Sequence, residues 1–264
     1  MNPMIWAATI AVCLFAGTLL SIEVGFRRGL RDRARNPGLA HEGIGAVEGS
    51  SFALLGLLLA LSFAAAASRF DTKRDLVISE ANAIGTAYLR VDLLPVETQP
   101  AIRDLYRRAV GARLHAYEHR ADEERYRHDL AVMTDAERAI WSRSVSALAT
   151  APNDVALLVL PPINEMIDIG TARAVAFRTR LPPLIVSLIL GVALMSGLLA
   201  GYAMAKRLQR SWFHTTVYAG LVAFTVYTVL DLDNPRFGLI RIDVATQAWT
   251  DLRAAMEPSA TVRR

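Results

Sequence analysis

Apolar residues are gathered into four long windows rather than dispersed along the chain. The windows contain no Asp, Glu, Lys or Arg and cover residues 4–22, 49–68, 181–205 and 211–230. A hydrocarbon core of about 30 Å needs about 20 residues of α-helix to cross it. Each window is long enough, so the pattern predicts an all-α membrane protein with four transmembrane helices.

The first window is followed, not preceded, by basic residues. A cleaved secretory signal carries its positive charge before the apolar run, so we expect a retained membrane helix over 1–22. Residues 23–47 are then expected to form a basic membrane-proximal loop. Its positive charges are Arg27, Arg28, Arg31, Arg33 and Arg35.

The second window is predicted to continue as a helix beyond the bilayer. Neither Gly nor Pro occurs between Leu57 and Ile84, and Ala, Leu, Arg, Lys and Glu dominate this stretch. These residues favour helix, so we expect one unbroken helix over 48–68 that leaves the membrane near Arg69 and continues to about residue 94. Beyond the exit, apolar residues recur at helical spacing, which indicates packing against protein: Phe70, Val77, Ala81, Ile84, Tyr88 and Val91.

Residues 69–180 are expected to form a helical extramembrane domain inserted between the second and third membrane helices. Within it, the capping-box sequence TDAE at 134–137 predicts a helix start, and Pro161 and Pro162 predict an interruption. The third and fourth membrane helices are placed at 181–205 and 211–231. The remaining 232–264 is expected to be an interfacial tail, because Trp249 is typical of membrane–water boundaries.

The second membrane helix has three faces at about 100° per residue. Small residues share one narrow face: Gly49, Ala53, Gly56, Ala60, Ala64 and Ala67. The opposite face and a stripe between them supply the candidate pore-lining residues: Ser51, Phe52, Leu59, Ser62, Phe63 and Arg69. Either the small face packs inside the protomer's own helix bundle, or it packs on a neighbouring subunit while the Ser or Phe stripe faces a pore.

Three blocks of sequence resemble the bestrophin-like membrane family, over roughly residues 43–245. The blocks are GAVEGSSFALLGLLLALSFAAAASRFDTKRDLVISEANAIGTAYLRVDLLP, INEMIDIGTARAVAFRTRLPP and DLDNPRFGLIRI. The resemblance implies a pentameric anion channel with four membrane helices, a large helical cytosolic domain and a pore lined by the second helix. The aromatic-rich segment that bestrophins carry where that helix leaves the membrane is reduced here to SRFD.

Motifs for other chemistry are missing from the sequence. There is no phosphate-binding loop, zinc-protease motif, nucleophile elbow or dinucleotide fingerprint, so we expect no enzyme, no catalytic or cofactor-binding residues and no cofactor. His115 and His119 share a helix face but lack the context of a metal site, and Asp231 and Asp233 are expected in a turn. The net charge of +4 reflects arginines near helix ends and predicts no nucleic-acid partner.

Basic residues near the membrane ends are equally divided between the two sides of the predicted topology. Counting only the short loops places the loops inside, whereas the resemblance places the helical domain inside. We expect a multi-pass protein of the cell (inner) membrane with a cytoplasmic helical domain. Its expected partners are the lipid bilayer, further copies of itself and chloride or another small ion. The alternative is a non-conducting scaffold or sensor whose helical domain binds a protein.

Overall fold

The computed structural model describes residues 3–35, 44–119, 122–207, 211–235, 238–240 and 243–257. Within these ranges the chain is helical and contains no strand, which confirms the all-α prediction. The α-helices are α1 Pro3–Arg35, α2 Ile44–Leu89, α3 Gln99–Glu118, α4 Glu123–Leu148, α5 Asn153–Arg178, α6 Pro183–Arg207, α7 Trp212–Leu232 and α8 Asp243–Ala255. A short 3₁₀ turn, Arg90–Leu93, follows α2.

The four predicted membrane spans are confirmed by the length and composition of helices in the described chain. They include α1, α2, α6 and α7. The ends of α6 and α7 lie within about two residues of the predicted boundaries because charged or turn-forming residues flank both apolar windows.

Helix α2 runs without a break from Ile44 to Leu89, as predicted. Every residue is helical where the apolar residues give way to charged ones around Arg69. The continuity follows from the run of strong helix formers, and the helix ends only where a 3₁₀ turn tightens its last residues.

The described residues form two compact units. Unit 1 comprises Met1–Phe70 and Arg180–Ile240, and unit 2 comprises Asp71–Thr179 and Arg241–Arg264. Unit 1 therefore holds α1, the first half of α2, α6 and α7. Unit 2 holds the second half of α2 together with α3, α4, α5 and α8.

Close packing of α1 on α6 dominates unit 1, and glycines make it possible. A Cβ placed on Gly25 would overlap the carbonyl oxygen of Leu198, and one on Gly201 would overlap that of Ile22. A Cβ on Gly29 would lie 2.9 Å from the carbonyl oxygen of Tyr202. The two backbones can approach this closely only because these positions carry no side chain.

The predicted loop at 23–47 is wrong for its first half, because α1 continues to Arg35. Arginine and leucine are good helix formers, and Arg27 pairs with Glu23 one turn earlier at 2.6 Å. Gly25 and Gly29 also lie in the contact with α6, so this segment is ordered by packing as well as by propensity. Residues 36–43 lie outside the described residues.

Unit 2 has a core built from the amphipathic stripe of α2. Val77, Ala81, Ile84 and Val91 are buried, as predicted. Ile102 and Tyr106 from α3, Ile140 from α4 and Ile163 and Met166 from α5 are buried as well.

Two boundaries inside unit 2 differ from the prediction. Helix α4 begins at Glu123, where Asp122 accepts hydrogen bonds from the backbone N–H groups of Glu124 and Arg125. The Thr134 hydroxyl instead donates to the carbonyl of Leu130 in mid-helix, so the expected helix start at 134–137 is wrong. Helix α5 continues through Pro161 and Pro162.

The interfacial tail predicted for 232–264 is wrong for Asp243–Ala255, because this helix, α8, is part of unit 2. The Trp249 side chain is fully buried, and the guanidinium of Arg113 lies 5.6 Å from its ring centroid. The Met256 carbonyl accepts hydrogen bonds from Tyr88 and Arg107. An indole that is amphipathic enough for a membrane interface is equally suited to a buried cation–π contact.

Candidate functional site

One face of α2 packs against α6 and α7 inside unit 1. The Ser51 hydroxyl lies 2.8 Å from the Ser196 hydroxyl of α6, and the Phe52 ring meets Tyr218 of α7 edge to face at 5.4 Å. Ser62 is buried, and Leu59 is half-buried against the apolar core of the unit. These four pore-lining candidates therefore point into their own protomer.

Arg69 ends this face with an ion pair. Its Nε lies 2.8 Å from Oδ1 of Asp233, whose Oδ2 accepts the backbone N–H of Leu181 at 2.7 Å. Asp233 is buried and the Arg69 side chain is about one-fifth exposed. Asp233 thereby links α2 to the residues just before α6 and just after α7. The guanidinium of Arg69 is paired with a carboxylate of its own chain.

Asp231 organises the turn that follows α7. Its carboxylate accepts the backbone N–H groups of Leu239 and Ile240 at 3.0 Å, and the Asn234 side chain donates to the carbonyl of Leu230. The turn role predicted for Asp231 is confirmed.

The small-residue face of α2 is open. A Cβ on Gly49 or Gly56 would meet no atom within 4 Å. Ala53, Ala60 and Ala64 are exposed, and Ala67 is half-buried. The interpretation that this face packs within the protomer's own bundle is therefore wrong.

Phe63 lies at the edge of this open face and is 44% exposed. It is the one pore-lining candidate whose side chain projects from the protomer. On the far side of the small face, the exposed leucines Leu54, Leu57 and Leu61 follow. The outer surface of α2 thus changes from an aromatic edge through a small-residue strip to a leucine-rich edge.

A second polar arrangement is buried in unit 2 around Glu80 of α2. The Glu80 carboxylate is fully buried and lies 2.6 Å from Nη2 of Arg113 and 2.6 Å from Nε of Arg173. Both arginine side chains are more than nine-tenths buried. A buried carboxylate requires such partners, because an uncompensated charge away from water costs several kcal/mol.

Glu137 of α4 stands beside this cluster. Burial raises the pKa of Glu137 to about 7, with the nearby charges of Arg113, Glu80 and Arg173 acting in both directions. Burial also lowers the pKa of the Arg113 guanidinium, and the neighbouring positive charge of Arg173 lowers it further. The cluster therefore holds Arg113 in an environment that disfavours its charge.

Glu165 and Asp168 are the acidic residues of α5 that precede Arg173 most closely in the sequence. Both acids are exposed, and Arg173 pairs instead with Glu80 of a different helix. The apolar stripe of α2 indicates which face of the helix is buried, but no signal in the sequence identifies the partners of Glu80.

His115 lies on α3, and His119 directly follows the last residue of that helix. His119 pairs with Asp129 through Nδ1 and Oδ2 at 2.9 Å, and His115 is exposed. Across the residues that the structure describes, no group of three or more His, Cys, Asp or Glu side chains is placed to hold a metal ion.

A family model described as a Bestrophin-like domain matches residues 12–246. The chain belongs to the bestrophin-like family. The match takes in most of α1, all of α2 to α7 and the ion pair of Arg69 with Asp233, and it confirms the resemblance inferred from the three sequence blocks.

Solved structures agree with this assignment to the bestrophin-like family. Three single-site variants of a bacterial bestrophin homologue from Klebsiella pneumoniae match with TM-scores of 0.62, 0.63 and 0.62 at identities of 14, 14 and 17%. The matches cover 91, 92 and 92% of this chain and 99, 98 and 98% of those chains. At such identities the likeness establishes a shared fold. No curated protein matches the sequence.

Proposed function

We propose that this bestrophin-like membrane protein forms a homo-oligomeric ion channel in which α2 of each protomer lies nearest the shared axis. The observation that carries the proposal is the open small-residue face of α2. In lipid, helix association depends on close van der Waals contact, and small residues are typical of such contacts. A face exposed to acyl chains has no need of Gly49, Ala53 and Gly56 in register.

A second copy of the same chain is the proposed occupant of this face. Most oligomers are closed rings or dimers of identical subunits, and a ring brings the same helix of each subunit to the axis. Five copies follow from the family resemblance. Packing through the small face would bring the Phe63 rings of neighbouring copies towards one another at the edge of the lumen.

Phe63 is the proposed constriction. An apolar ring can close a pore by excluding water without any movement of charge. Ser51, Ser62 and Arg69 are not proposed to line the pore, because Ser51 and Arg69 contact other segments of the protomer and Ser62 is buried. Chloride or another small ion is the proposed permeant species.

Ion flux through the purified protein in liposomes tests the proposal, with chloride and potassium efflux measured separately. Phe63→Ala should raise the flux severalfold over that of the unaltered protein, because it widens an apolar constriction. The matched control is Phe224→Ala, which removes a ring that is 67% exposed on α7, and it should leave the flux unchanged. Absence of flux from both the unaltered protein and Phe63→Ala would overturn the channel proposal and favour a scaffold or sensor.

The proposed location is the cell (inner) membrane, with unit 2 on the cytoplasmic side. Ser146 is exposed on α4, and Cys13 is the only native cysteine. In a Cys13→Ala background, Ser146→Cys should react with a membrane-impermeant maleimide only after cells are opened. Labelling of intact cells would place unit 2 outside.

A further inference from the structure

Unit 2 contains a cavity whose described lining residues all belong to unit 2. Its volume is about 680 Å³, within the range of about 300–1,000 Å³ typical of sites for small molecules. Its walls come from three helices, with Arg113 on α3, Glu137 and Trp141 on α4, and Asn164 and Arg173 on α5.

The charges lining this cavity are predominantly positive. Glu137 is the one acidic residue among the described lining residues. Four arginines line the cavity: Arg113, Arg138, Arg173 and Arg178. Arg113 and Arg173 share the single carboxylate of Glu80. The only other carboxyl group beside them among the described lining residues is Glu137, whose raised pKa keeps it partly protonated near pH 7, so positive charge is in excess and an anion would neutralise it.

Arg113 supplies an unused donor in this setting. Its side chain is 5% exposed, and its Nε has no hydrogen-bond partner among the residues that the structure describes. A buried donor without a partner is unfavourable, whereas the guanidinium fork matches a carboxylate or phosphate in two parallel hydrogen bonds. The geometry therefore provides both the charge and the donor for an oxyanion.

Apolar residues form another part of the cavity wall. Met133, Trp141, Ile167 and Ala174 line the cavity beside the arginines. A bare inorganic ion would leave most of this surface without contact. A ligand with an apolar body and an acidic group would use both kinds of wall.

We propose that this cavity is a binding site for a metabolite-sized organic oxyanion, a carboxylate or a phosphate monoester. Its acidic group is held by Arg113 and Arg173, and the more exposed Arg138 and Arg178 add attraction. Binding at this site does not depend on ion conduction, so the binding site and the proposed channel are tested independently.

Glu137 is expected to make binding at this site depend on pH. The charged groups that face it are Glu80 on α2, Arg113 on α3 and Arg173 on α5. Because burial raises its pKa to about 7, its carboxylate gains charge between pH 6 and pH 8. An oxyanion should therefore bind more weakly at pH 8 than at pH 6, and Glu137→Gln should remove this difference.

Isothermal titration calorimetry on the full chain in detergent, at fixed ionic strength, tests the site with three probes. Benzoate and phenyl phosphate carry the two acidic groups on the same ring, and benzyl alcohol carries no charge. Saturable binding of benzoate or phenyl phosphate without binding of benzyl alcohol supports the proposal, and the stronger of the two identifies the preferred acidic group. Binding of none, or equal binding of all three, overturns it.

Variants at the exposed arginines keep the test independent of folding. Arg138→Gln and Arg178→Gln should each weaken oxyanion binding by about 3- to 10-fold. The control is Arg143→Gln, which removes an exposed arginine of α4 that does not line the cavity and should leave the affinity unchanged. Affinities in all three variants equal to that of the unaltered protein would contradict the site.

Benzoate keeps the same charge from pH 6 to pH 8, so it is the probe for comparing oxyanion binding at these two pH values.

Discussion

Two sets of small residues in unit 1 have similar composition and opposite surroundings. On α1 and α6, Gly25 and Gly201 sit where any side chain would overlap a backbone carbonyl of the other helix. On α2, Gly49 and Gly56 have empty space where a side chain would begin. The first set is in close contact within the protomer, and the second has no close contact within it.

The difference teaches that a stripe of small residues indicates close helix contact without indicating which helix provides it. On α2 the protomer's own contacts are side-chain contacts made away from the small-residue face, through Ser51, Phe52 and Arg69. The close backbone approach occurs where the sequence analysis had expected a loop, at Gly25 and Gly29.

The largest expected effect comes from adding one methyl group between α1 and α6. Gly201→Ala places a carbon against the carbonyl of Ile22, so the backbones must separate. We expect a loss of about 3 kcal/mol or more, at the upper end of overpacking. The measurement is the yield and melting temperature of detergent-purified protein. A melting temperature equal to that of the unaltered protein would show that these helices are not in close contact.

The next effect concerns how α2 is held to the protomer. Asp233→Asn weakens the pair with Arg69 and leaves a guanidinium without its carboxylate, which should cost about 2 kcal/mol because Arg69 is partly exposed. Thermal unfolding in detergent checks this. The control, Asp71→Asn, changes an exposed acid on α2, the helix that carries Arg69, and should have no measurable effect.

The same substitution on α2 should act with the opposite sign to the one on α6. Gly56→Ala meets nothing in the protomer and replaces the poorest ordinary helix former with the best, so it should stabilise the protomer by about 0.5–1 kcal/mol. Gly56→Leu should preserve the fold and disrupt the oligomer, as measured by light scattering during size-exclusion chromatography. An unchanged oligomer in Gly56→Leu would mean that this face makes no contact with another copy.

The smallest effect tests unit 2. The pKa of Glu137 is raised from 4.5 to about 7, so the native protein holds its proton more tightly than the unfolded chain does. Native stability therefore falls as the pH rises from about 4.5 to about 7. Glu137→Gln lacks this loss, and its melting temperature should exceed that of the unaltered protein at pH 8 but not at pH 5. If the melting temperatures of Glu137→Gln and the unaltered protein differ by the same amount at pH 5 and pH 8, the raised pKa of Glu137 is contradicted.

The continuous helix α2 and the four spans could be predicted because they depend on local properties. Helix formers without Gly or Pro between Leu57 and Ile84 explain why α2 continues past the bilayer, and the length of each charge-free window gives the number of spans. The buried stripe of Val77, Ile84 and Val91 could be predicted for the same reason, since helical spacing alone places these residues on one side.

What could not be predicted depends on contacts between residues far apart in sequence. Glu80 pairs with Arg113 and Arg173, and nothing near Glu80 in the chain indicates either arginine. Ser62 faces inward because α6 and α7 lie on that side of α2, which the periodicity of α2 cannot reveal. Trp249 is typical of both an interface and a core, and only the packing of α8 in unit 2 decides between them.

Single-particle electron microscopy of the detergent-purified protein tests the central claim most directly, because it reveals both the symmetry of the assembly and the helix nearest its axis. We expect a closed ring of identical subunits, with the face of α2 that carries Gly49, Gly56 and Ala64 turned to the neighbouring copy and Phe63 at the lumen. A monomer, or a ring in which that face of α2 lies against lipid, would contradict the account.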